Sequence, residues 1–261
     1  MKIHLPRLST RRRLFLSLLT CVLIPEILCL FALSLLAFKS SNSDSESLNN
    51  IQQQIQSQIQ SESKQMQGIS TEIKKLKKDY RDLNKKLSQE INFKEGLKFV
   101  LASEGGISND PGDKGGLTNL GITHSEYAQY RASHGLAPRS VTQISLLEAT
   151  DIYKHTYWLD SGCGDTPRRI AISCFDWQVN SNRGMSTLQQ VLGVDVDGIA
   201  EHQTFNELNY WLSHNKEDKL LHNYFEIREA DYRRWGVGTQ SVFLHGWIRR
   251  AESLKNYLKI Q

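Results

Sequence analysis

EGGISNDPGDKGGLTNLGIT, residues 104–123, decides how this 261-residue chain is read. Ahead of it Phe93, Leu97, Val100 and Leu101 recur at helical spacing, and Gly105-Gly106 supply the left-handed backbone on which helices end. Glu104 is therefore predicted in the last turn of a helix. Asn109-Asp110-Pro111-Gly112-Asp113 and Gly115-Gly116 are tight-turn sequences, so 107–123 should fold back as a small hairpin. That fold brings Asp110, Asp113 and Thr118 close to Glu104. Two carboxylates across a cleft suit glycosidic-bond hydrolysis: one protonates the leaving oxygen while the other activates water or steadies an oxocarbenium-like transition state. Spacing alone is weak, since a Glu at a helix end and an Asp in a Gly/Pro turn are common surface residues.

Taken whole, the string resembles the EGG-motif muramidases, glycoside hydrolase family 108, whose signature runs EGG, NDP, D, GG, T and GIT. EATDIYKHTYW at 148–158, FDWQVN at 175–180, LQQVLGV followed by DG at 188–198, and LHGWIRR at 244–250 follow in the family's order, so the resemblance covers about 93–258. It implies that Glu104 is the catalytic acid. The motif is also similar to that of phage-type lysozymes, in which an Asp follows the Glu by nine positions and a Thr precedes a Gly-Ile pair. Glu104, Asp113 and Thr118 hold comparable places, with the last spacing one residue shorter. The resemblance thus implies a mainly α, lysozyme-like α+β domain with a small hairpin after the catalytic helix. Its substrate would be peptidoglycan, cut at the β-1,4 bond between N-acetylmuramic acid and N-acetylglucosamine. A lytic transglycosylase and a non-catalytic peptidoglycan-binding scaffold are the alternatives.

Further residues are drawn into this reading. Thr166-Pro167 is a helix start, with Ile170, Cys174 and Trp177 on one face. Asp176 and Asn180, four apart on that helix and part of the family's FDxxVN motif, are expected with Asp110 to contact substrate; a helix-to-loop hydrogen-bond clamp is the other reading. Asp195, Asp197 and Gly198 read as an interhelical turn, because Ala200 and Asn206 stand where a calcium loop needs Gly and Glu. Glu201-His202 departs from the Gly-Pro of the peptidoglycan-binding-like pattern. The aromatic residues from Tyr224 to Tyr257 have core spacing, and Arg233, Arg234, Arg249 and Arg250 are expected to cap helices and face solvent.

The N-terminal part sets the location. Residues 14–38 are an apolar run with Pro25-Glu26 near its middle, and as a helix would reach about 37 Å across a hydrocarbon core of about 30 Å. Five Lys and Arg residues precede it and one Lys follows, which predicts a cytoplasmic N-terminus and a periplasmic remainder, held in the inner membrane by a single-pass signal anchor. Residues 40–65, rich in Ser, Asn and Gln, read as a tether. Then Met66, Ile69, Ile73, Leu76, Tyr80, Leu83 and Leu87 alternate steps of three and four, the heptad seam of a short coiled-coil stalk with scope for homo-oligomerisation, or else the stripe of a lone amphipathic helix lying against the membrane or the catalytic domain. The expected organisation is a basic N-terminus (1–13), anchor (14–38), linker and stalk (39–92), catalytic region (93–183) and helical peptidoglycan-binding-like region (184–261).

Residues 93–261 carry 18 basic and 20 acidic side chains against 14 and 8 in 1–92. The folded part is therefore slightly acidic, which argues against nucleic acid as a partner. Cys163 and Cys174, eleven apart in the exported part, can form one disulfide in an oxidising compartment. The eight histidines show no metal-binding spacing, so no metal or cofactor is expected.

Overall fold

The structure, a computed structural model, describes residues 45–104, 106–108 and 116–260. The chain divides into two compact units, Met1–Leu76 and Lys77–Gln261. Among the described residues no helix is long and apolar enough to cross a membrane. The expected span, 14–38, lies outside them.

Helix α1 runs from Ser45 to Ser103. The tether expected over 40–65 is thus helical from Ser45, because Leu48, Ile55 and Ile59 extend the apolar stripe upstream and Gln is a good helix former. In the second unit the helix enters a core. Phe93, Leu97 and Val100 are buried and Leu101 half-buried, as their spacing predicts. Phe93 packs against Trp158 and Phe175, with ring centroids 5.7 and 5.8 Å away.

Strands β1 (Thr118–Asn119) and β2 (Ile122–Thr123) pair antiparallel, Thr118 opposite Thr123. They are joined by Leu120 and Gly121, at φ of 50° and 74°, the two-residue turn whose twist matches a hairpin. Thr123 then caps α2 (His124–Ser133) in a capping box with Glu126. Next come α3 (Leu146–Ile152), a π-helical stretch at Tyr153–Leu159 and a 3-10 turn at Cys163–Asp165. The capping-box Glu148 of α3 is gripped by Arg131, 2.7 Å away, by Arg139 and by the Tyr127 hydroxyl. Burial pushes its carboxyl up, but Ser145, Tyr127 and Arg139 outweigh burial and bring it from 4.5 down to about 2. A depressed carboxylate adds stability that is present above its unfolded value and is lost as pH falls through the folded one. Glu148→Gln is therefore expected to cost up to about 3 kcal/mol at neutral pH. Urea unfolding from pH 5 to 2 should show a shallower acid loss in this variant; an unchanged slope would count against the cluster.

Helix α4 (Arg168–Ser181) is the centre of the core, with Ile170 through Trp177 all buried. Pro167 precedes it rather than opening it, and the Thr166 hydroxyl donates to Cys163 O instead of capping. Cys163 and Cys174 are bonded to each other across this start, with Cα atoms 5.5 Å apart. Next to α4 packs α5 (Gly184–Leu192); α6 (His202–Ser213) and α7 (Glu217–Trp235) pack on α5, and α8 (Ser241–Leu258) packs on α7. Asp197 accepts from Gln189 and from the backbone of Ile199, while Gly198 takes φ 77°, forming a turn between α5 and α6. The architecture is mainly α with one small hairpin, and a single compact unit takes in both 93–183 and 184–261.

Candidate active site

Glu104 follows directly on α1, its amide donating to Val100 O at 2.9 Å, so it occupies the last turn. Its side chain is 21% exposed, open on one side and enclosed on the others. The hairpin turn forms one wall. A Cβ on Gly121 would come within 3 Å of Glu104 Cγ and Cδ and of the Tyr153 hydroxyl, so this turn must carry a glycine for both steric and conformational reasons. Tyr153 donates to Leu120 O at 2.8 Å and fastens the turn to the π-helical stretch. Burial, and after it the Glu104 charge, raise this phenol above its ordinary value, so Tyr153 stays a neutral donor.

The opposite wall is Arg250 of α8. Its Nη1 donates to Glu104 Oε1 at 2.7 Å, while Nε and Nη2 donate to Asp176 Oδ1 at 3.0 and 2.8 Å. Arg228 Nη2 of α7 donates to the other Asp176 oxygen at 2.6 Å. Arg228 also lies over the Trp177 ring, 4.9 Å from its centroid, and donates to Tyr232, whose hydroxyl donates to Asn180. Two carboxylates and two guanidiniums thus alternate through the core with formal charges that cancel. Asp176 and Arg228 have no exposed side-chain surface. Burial alone would favour a neutral Asp176, but the two arginines outweigh it and hold the carboxyl below its ordinary value. Burial pulls Arg250 down, but the charges of Asp176 and Glu104 outweigh it and hold the guanidinium above its ordinary value.

A second carboxylate, Glu126, lies nearby. It accepts from the Thr123 amide at 2.9 Å, the Thr123 hydroxyl at 2.8 Å and the Tyr157 hydroxyl, so both oxygens serve as hairpin and helix-cap anchors.

Of the residues singled out in the sequence, Glu104 and Thr118 are described, and Asp110 and Asp113 lie outside the described residues. Thr118 exchanges backbone hydrogen bonds with Ser108, at 3.0 and 2.9 Å, at the base of the segment that follows Glu104. Asp176 and Asn180 do share a face of α4, yet Asp176 is fully buried and is linked to Glu104 through Arg250, and Asn180 is tied to Tyr232. The expectation that Arg250 faces solvent is corrected: its side chain is 10% exposed and bridges the two carboxylates. Arg228 and Arg250 were missed although a signal existed. Each replaces an apolar residue in a buried helical stripe, Tyr224-Phe225-Arg228-Tyr232 and Arg250-Ala251-Leu254-Leu258, and a cation there demands a buried anion. Among the described residues no group of His, Cys, Asp or Glu could hold a metal ion.

A carboxyl at a helix end, cradled by a hairpin in a mainly α domain, is the arrangement of lysozyme-type glycosidases. Residues 97–182 match the glycosyl hydrolase 108 family. A solved structure described as that of Brucella abortus SagA is similar, with 29% identity and a TM-score of 0.56 over 65% of this chain and 94% of that one. No curated protein matches the chain in sequence. The family match ends before α7 and α8, which supply both arginines of the buried network.

Proposed function

We propose that the protein is a membrane-anchored N-acetylmuramidase in which Glu104 is the general acid. The reading rests above all on the Glu104 carboxylate, held between the Gly121 turn and Arg250 in a glycosyl hydrolase 108 segment. The bond between C1 of N-acetylmuramic acid and O4 of N-acetylglucosamine breaks, and the leaving oxygen takes a proton from the protonated Glu104, carried on Oε2, the oxygen that Arg250 does not bind. A water oxygen bonds to C1 and passes its proton to Asp113, with Thr118 orienting that water or carboxylate and Asp110 contacting sugar. Asp176 and Asn180 act through the network below, as supports for Arg250. The test is to incubate the full chain, in detergent, with purified peptidoglycan and identify the new ends by mass spectrometry. Reducing N-acetylmuramic acid ends are expected. Anhydro ends would replace this reading with a lytic transglycosylase, and intact strands would leave a binding scaffold.

Residues 14–38 anchor the chain in the inner membrane with residues 39–261 in the periplasm, where Cys163 and Cys174 can stay oxidised. Protease added to spheroplasts should remove the catalytic region and spare the N-terminus. Protection of that region would mean an inverted anchor, and a free form beginning near residue 40 would mean a cleaved signal.

A further inference from the structure

We infer that α1 pairs with α1 of a second copy of this chain as a parallel, in-register coiled coil. The inference is independent of the muramidase reading. The seam from Met66 to Leu87 keeps a strict 3.5-residue period over three heptads, and Ile55 and Ile59 extend it upstream. Met66, Ile73, Tyr80 and Leu87 fall at a positions, and Ile69, Leu76 and Leu83 at d. In the single chain the seam is largely bare: Ile73 is half-buried, but Leu76, Tyr80 and Leu83 are 66, 68 and 65% exposed.

Three candidates could cover such a stripe, and two fit poorly. The second unit does not cover its own part of the seam, Tyr80 to Leu87, because its core meets the helix from the other side. Lys85, an f position diametrically opposite the seam, binds Asp165 at 2.6 Å, and Gln89 reaches the same carboxylate at 2.9 Å. A lipid surface favours a broad apolar face carrying Trp, Phe and Leu, whereas this stripe is two residues in seven and holds neither Trp nor Phe. A second copy suits both the width and the charges. Glu72 is a g position and Lys77 the e position five residues on, so a parallel pair sets Glu72 against Lys77 of the second copy, twice by symmetry. Glu62 falls at d, a polar core position of the kind that specifies register at a cost in stability.

The test uses the full chain in detergent with Cys21→Ser and Cys29→Ser, which leaves Cys163–Cys174 intact. Sedimentation should give the mass of two chains, and Ile69→Asp with Leu76→Asp should halve it while peptidoglycan digestion persists, reporting that the catalytic unit remains folded. Mild oxidation should cross-link Ile69→Cys into a covalent dimer and leave Lys78→Cys, on the opposite face, uncross-linked. A one-chain mass for the unmodified seam overturns the inference, as does a two-chain mass that survives the aspartates. Equal cross-linking at both positions, or aspartates that abolish vesicle binding without changing mass, overturns it too. An inactive dimer would sink only the muramidase reading, and an active monomer only this one.

Discussion

Glu104→Gln should digest peptidoglycan at least about a hundredfold more slowly than the parent chain, with its melting temperature nearly unchanged. The amide keeps the shape of the side chain, and its oxygen can still accept from Arg250 Nη1, so the cradle of Gly121, Tyr153 and Arg250 is preserved. What disappears is the proton for the leaving sugar oxygen. Measuring turnover and thermal unfolding on one preparation separates chemistry from folding. Parent-like turnover would remove Glu104 from the mechanism; loss of both activity and fold would show that the buried network needs its charge.

The second large effect is expected at Asp176, and there it is structural. Asp176→Asn leaves Arg228, fully buried, without an anionic partner and removes the group that orients Arg250. Breaking a buried pair by deleting one partner typically costs about 3–5 kcal/mol. For a unit of this size that lowers the melting temperature by roughly 6–20 °C. The pH dependence has a definite sign. Asp176 lies below its ordinary value of 3.8, so its contribution is present above that value and disappears as pH falls through the depressed one. The Asn variant should accordingly be weaker at neutral pH and converge with the parent in strong acid. A variant within about 1 kcal/mol of the parent at pH 7 would contradict the pairing described for the core.

The parts of this molecule that could be read from sequence are those governed by local periodicity. Phe93, Leu97 and Val100 announced the last turns of α1, and the glycines after Glu104 its end. Cys163 and Cys174 bracket a helix start, and their bond is present. Features that depend on chain segments far apart were not legible. The π-helical stretch that aims Tyr153 and Tyr157 at the hairpin has the same apolar spacing as an α-helix. Gly121 read as one turn glycine among several, while its close approach to Glu104 exists only after folding. Asp176 and Asn180 were visible as a pair on one helix face, but which way that face pointed depended on α7 and α8. A rule that treats Arg as a surface residue hid Arg250, although its apolar neighbours on the same stripe marked it as buried.

The contact between Arg250 and Glu104 joins residues 146 positions apart. Its formation therefore closes a long loop, an event that comes late when a chain orders itself. During synthesis the acid emerges well before the cation that braces it, and nearly the whole second unit must be made in the interval. A chain halted after the hairpin but before α8 carries Glu104 and the Gly121 turn but lacks Arg250. On the muramidase reading proposed above, the Glu104 site is complete only when the polypeptide is.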